Sequence, residues 1–125
     1  MHSHDSEPLF ITPFNFDDAE NELLASDFAD AKVFYETIFE KGAKPLGYTK
    51  GNGATTVQYK ANGEASDWML GERGIYAISP EISILGNKAA KEWFIKDPEA
   101  LREMLVKNYT WIELIFMWFV DPSQV

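Results

Sequence analysis

The chain has 125 residues, of which 46% are hydrophobic and 14% aromatic, enough bulky apolar surface for one core and too much for wholesale disorder. Eleven Lys+Arg against twenty Asp+Glu give a net charge of −9, so no basic stripe is available for a nucleic-acid backbone or an anionic membrane surface, and both drop out as main partners. With no cysteine, disulfides, thiolate zinc sites and cysteine nucleophiles drop out as well.

In chain order, the start Met1-His2-Ser3-His4-Asp5 is polar and acidic and shows no signal-peptide pattern. His2, His4, Asp5 and Glu7 are the one cluster of metal-competent side chains. His-x-His on an extended strand puts both imidazoles on one face, where they can chelate zinc. The plain alternative is a solvated, frayed terminus. Pro8 to Phe14, closed by Pro13, suits a short buried strand. Asp17 and Asp18 open an acidic first turn, and Asp18 to Lys41 carries apolar residues at helical spacing, with a break near Ser26-Asp27 and Gly42 as C-cap. Pro45 to Gly53 is turn-rich, Thr55 to Tyr59 reads as a brief strand or loop, and Asn62-Gly63 signals a turn. Ser66 to Leu70 predicts one or two helical turns with Ser66 as N-cap, stopped by Gly71 or Gly74.

Ile75 to Leu85 is the best strand pattern, and Pro80 within it marks an edge, a bulge or a strand end. Asp97-Pro98-Glu99 starts a final helix, with Asp97 as N-cap. Trp111 to Val120, the most apolar run, carries Glu113 and is about half the length of a membrane span, so it reads as a buried helix end. Strand, helix, loop, strand and helix in that order predict a single α/β domain.

Glu81 is the most informative residue. A carboxylate inside an apolar strand needs a partner or a metal if the strand is buried. Its own face carries Ala77, Ser79 and Ser83, small enough to leave room for a ligand. The competing reading is an edge-strand glutamate pointing into water. Tyr59, between turn signals, can swing on its loop and donate a hydrogen bond, or pack on the surface. Asp67-Trp68 pairs a carboxylate with an indole in the core. No phosphate loop, dinucleotide fingerprint or serine nucleophile elbow is present.

The segment Tyr59-Lys60-Ala61-Asn62-Gly63-Glu64-Ala65-Ser66-Asp67-Trp68, followed by Gly74-Ile75 and Ser79-Pro80-Glu81-Ile82, resembles the C-terminal half of the carboxypeptidase A-like zinc metallocarboxypeptidases. That family has a loop tyrosine, small residues, Asp-Trp, Gly-Ile and a strand ending in Thr-x-Glu-Leu. Here Tyr59 and Glu81 are 22 positions apart, with Asp67-Trp68 in the corresponding place. His2-Ser3-His4 is similar to the His-x-His strand that carries the family's third zinc ligand. Leu9 to Phe14 is similar to the apolar stretch after it. The local motif favours His2 as the ligand, and the spacing to Pro13 favours His4 as the alternative. The helices at Asp18 to Lys41 and after Asp97 then correspond to the family's long and C-terminal helices.

The resemblance implies a partial α/β/α layer with a mixed sheet, and zinc as cofactor. Glu81 would be the general base that takes a proton from the attacking water and gives it to the leaving amine. Tyr59 would close over the substrate, a peptide C-terminus. Ser66 would sit in the specificity pocket, where it supplies no charge to attract a basic side chain. The family's other two zinc ligands, in H-x-x-E, and its substrate-clamping arginines lie far upstream of the third ligand, whereas here only Met1 precedes His2. One ligand of three cannot hold a catalytic zinc, so the chain by itself is expected to be inactive, with the missing N-terminal half as a partner. Two other readings stand beside this one. One is a non-catalytic acidic α/β interaction module that binds a basic partner, and the other a small metal-binding protein using His2, His4 and Asp5.

Overall fold

The apolar run after Pro8 becomes β1 (Leu9–Ile11), all three residues buried. The computed structural model describes residues 7–15, 27–58, 60–82 and 97–125. β1 is the central strand of a three-stranded mixed sheet. β2 (Thr49–Gly51) runs parallel to it, with Leu9 opposite Thr49 and Ile11 opposite Gly51. β3 (Ser79–Glu81) runs antiparallel on the other side, with Leu9 opposite Glu81. An uncharged apolar run suits the central place, since both faces of that strand are buried.

The crossover from β1 to β2 runs through α1 (Ala29–Ile38), which buries Ala31, Phe34, Tyr35 and Ile38 at helical spacing. The predicted helix reaches back to Asp18, but residues 16–26 lie outside the described residues. Gly42 does not cap α1. The helix widens into a π-helical turn, Phe39–Ala43, in which the Lys44 N–H donates to the Phe39 carbonyl. A Cβ on Gly42 would lie 2.5 Å from the Cβ of Trp111, so glycine is needed there for close approach. The cap falls to Gly47, at φ +83, after a 3-10 turn at Lys44–Leu46.

The turn-rich stretch contains β2, which its composition does not announce. The backbone of β1 dictates it, through Thr49 N–H to the Pro8 carbonyl and Thr12 N–H to the Gly51 carbonyl. The predicted strand or loop at Thr55 begins instead as a short helix, α2 (Gly53–Thr56), capped by the Asn52 side chain. α3 (Ala65–Arg73) starts one residue before Ser66, so the N-cap is Glu64 and not Ser66, and Gly74 ends it in the left-handed conformation. Of the long strand predicted from Ile75 to Leu85, the described residues form a strand only at Ser79–Glu81, and residues 83–85 lie outside them. Pro80 lacks an N–H and sits opposite Phe10 on the edge strand, as proline allows.

α4 (Pro98–Val120) begins as predicted, the Asp97 carboxylate accepting from the Glu99 N–H at 3.0 Å. It buries Met104, Asn108 and Trp111. Its last turns are not buried, however: Phe116 is 69% and Val120 86% exposed. Among the described residues, no helix is long and apolar enough to cross a membrane. The π-helical turn and α4 meet the sheet through Phe10, whose ring lies 5.8 Å from Phe39 and 6.0 Å from Trp111. A second aromatic group surrounds Phe34, with Tyr76 at 5.2 Å and Trp118 at 5.7 Å. The result is an α/β fold with a small mixed sheet.

Candidate functional site

Beyond the carboxyl end of β1 the chain makes a sharp turn. Phe14 takes φ 70, a left-handed conformation that costs a bulky residue on the order of 1–3 kcal/mol. Asp67, in the first turn of α3, holds it there. Its Oδ1 accepts from the Phe14 N–H at 2.7 Å and from Asn15 Nδ2 at 2.7 Å. The Asn15 N–H is shared between both carboxylate oxygens, at 3.2 and 3.1 Å. Asn52, fully buried after β2, donates through Nδ2 to the Phe14 carbonyl at 2.7 Å. Asn15 Oδ1 accepts from the Gly53 N–H at 2.7 Å, and the Asn15 carbonyl accepts from the Ala61 N–H at 3.0 Å.

Three segments, at Phe14-Asn15, Asn52-Gly53 and Ala61 to Asp67, are thereby fastened together at the carboxyl ends of the two parallel strands. In open α/β sheets that is where ligand crevices form. Ser66 belongs to this group. It is 1% exposed, and its Oγ lies 3.4 Å from Asn15 Nδ2.

Glu81 lies at the other end of β1, opposite Leu9. It is on an edge strand, as one reading held, but only 7% exposed, so it does not point into water. Ser66 and Glu81 thus flank the central strand from opposite ends. Tyr59, His2, His4 and Asp5 lie outside the described residues. The neighbours of Tyr59 are placed: Gln58 takes φ 63, and the Ala61 N–H is tied to Asn15. Among the described residues there is no group of three or more His, Cys, Asp or Glu that could hold a metal ion.

Asp67 and Trp68 do not pair in the core. The carboxylate goes to the β1 turn, while the indole is 52% exposed under the Arg73 guanidinium, 5.1 Å from its centroid. Sequence reasoning passed over Asn15 and Asn52, which make most of the polar contacts here; the one local signal was Asn52-Gly53. The chain matches no protein family, no curated protein and no solved structure.

Proposed function

We propose that this chain is the C-terminal part of a zinc metallocarboxypeptidase-like domain that removes C-terminal amino acids from peptides, with Glu81 as general base. The observation that carries the reading is the burial of the Glu81 carboxyl group beside the amino end of β1. His4 stands five positions ahead of Leu9, the residue opposite Glu81, in the sequence. Burial of a carboxylate is costly, and active sites are where proteins accept that cost. The fastening of the segment from Ala61 to Asp67 onto the β1 turn also supports the reading, because it fixes the frame around the loop that carries Tyr59.

Glu81 takes a proton from the attacking water as oxygen bonds to the scissile carbonyl carbon, and returns it to the amine as the C–N bond breaks. His2 or His4, together with an upstream H-x-x-E pair, would hold a zinc ion, which would supply Lewis-acid polarisation. Leu9 to Thr12 spans about 10 Å of extended chain. If Ser66 holds the family's specificity position, it supplies no charge there, which favours neutral C-terminal residues over Lys or Arg.

The test mixes this chain with an N-terminal half bearing H-x-x-E, in the presence of zinc. Release of single C-terminal residues from free-acid peptides is expected, and none from C-terminally amidated ones. Glu81→Gln should lower turnover by about 10²–10⁴-fold, the usual worth of a positioned acid–base group. Turnover indifferent to that substitution would rule the assignment out. A non-catalytic acidic module is the second reading, favoured by the net charge of −9 and the bare apolar side chains of α4. Zinc-independent binding of a basic partner, with no turnover in the mixture, distinguishes it.

A further inference from the structure

From Leu114 to Val120 α4 is apolar on every side, and helices of that kind are covered on more than one face. Met104, Asn108 and Trp111 point to the core. Beside them runs a second stripe, Leu101, Leu105, Tyr109, Ile112, Phe116 and Val120, at three- and four-residue spacings and without a charge. Leu105 is 54% exposed, Tyr109 62%, Phe116 69% and the neighbouring Phe119 63%. At roughly 200 Å² for a fully exposed aromatic, the stripe presents on the order of 600–800 Å². That exceeds the few hundred Å² a monomer usually leaves bare, and approaches the ~800 Å² each partner contributes to a standard interface.

We propose that a second copy of this chain covers α4, the two helices packing antiparallel about a two-fold axis so that Leu105 of each meets Phe116 of the other. In that arrangement Leu101 faces Val120 and Tyr109 faces Ile112. The stripe is asymmetric along its length, with leucines toward one end and phenylalanines toward the other. Antiparallel packing sets large side chains against smaller ones, whereas parallel packing stacks phenylalanine on phenylalanine and leaves the leucine end thin. It also opposes the two helix dipoles. A two-fold axis closes the assembly at two copies. Each copy carries a charge of −9, so repulsion works against association and added salt relieves it.

Sedimentation of the full chain over a range of concentrations tests this. A monomer–dimer equilibrium is expected, tightening several-fold as salt is raised. Leu105→Lys alone and Phe116→Glu alone should each weaken the dimer by at least about tenfold while the circular dichroism spectrum is retained, since both positions are exposed. The two together should restore it, because each copy then sets its new ammonium against the other's new carboxylate. Within one helix the two positions are about 16 Å apart and cannot satisfy each other. A chain that stays monomeric at every concentration overturns the proposal, as does a double variant no better than the singles. So does the face being taken 1:1 by the H-x-x-E half in place of a second copy. None of these readouts depends on zinc or Glu81, so the dimer and the peptidase reading stand or fall separately.

Discussion

Asp67 shows how much of a site can rest on one carboxylate. It accepts from two backbone N–H groups and one side-chain amide, and so holds Phe14 in a conformation that residue would not choose. Hydrogen bonds to a charged acceptor are worth about 1.5–3 kcal/mol, and donors left behind in a buried turn add their own cost. Asp67→Ala should therefore lower unfolding stability by roughly 3 kcal/mol, read as a drop in the urea midpoint. Asp97→Ala, which removes only an exposed helix cap, should cost about 1 kcal/mol. Equal losses for the two would mean that the turn is held by something else. Asp67 was singled out in the sequence, but as a core partner of Trp68 and not as the acceptor that holds the β1 turn. Asn15 and Asn52 were not, since their partners lie 38 to 52 positions away and nothing in the neighbouring sequence encodes that contact. Trp68 misled for the opposite reason: a large apolar residue beside an acid reads as core, yet a helix surface with an arginine five residues on also accommodates it.

At the scale of elements, the helices with strong periodicity and the proline-started α4 could be read from the sequence, and so could the central strand. β2 could not, because Thr49, Lys50 and Gly51 carry no strand signature and become a strand only when β1 is there to pair with. β3 was overestimated on its Ile75 side because alternation marks a face that can be buried, not a ladder that is paired. Gly42 was read as a stop signal, although its role is contact between α4 and the π-helical turn. Gly42→Ala should therefore be destabilising by about 2 kcal/mol or more, because the new methyl meets the Trp111 backbone and Cβ, which cannot swing aside. Gly71→Ala is the matched control. It sits inside α3 with nothing within 4 Å of a new Cβ, and should stabilise by about 0.5–1 kcal/mol through helix propensity. Thermal melts of the two variants should move in opposite directions. A neutral Gly42→Ala would mean that α4 can back away from the turn without loss.

The sheet side and the helix side of the molecule are joined through buried phenols, and this makes the whole fold sensitive to alkali. Tyr48, just before β2, donates its hydroxyl to Asn108 Oδ1 on α4, which also accepts from Trp111 Nε1 at 3.0 Å. Asn108 Nδ2 closes the group on the Met104 carbonyl at 2.8 Å. Burial pushes the Tyr48 hydroxyl up from 10.0 to about 12, the nearby Trp111 side chain offsetting only part of that. Tyr35, on α1, is fully buried, and its hydroxyl makes no hydrogen bond among the described residues. Burial raises it further than Tyr48, against a smaller opposing effect of the Ala77 backbone. Both folded values lie above the unfolded one, so the folded state keeps its phenolic protons after the unfolded chain has begun to lose them. Their contribution is complete below pH 10 and is lost as pH rises from 10 toward 12 and above. Within that window each buried tyrosine adds about 1.4 kcal/mol of lost stability per pH step. Urea midpoints should be level from pH 7 to 9 and then fall steeply. Tyr48→Phe should flatten the fall by about half while costing about 1 kcal/mol at pH 7 for the lost hydrogen bond. Tyr35→Phe should flatten it equally and cost less than Tyr48→Phe at pH 7, because its buried hydroxyl has only the approach to the Ala77 backbone to lose. An alkaline limb unchanged in both variants would assign it to the growing negative charge of the surface instead.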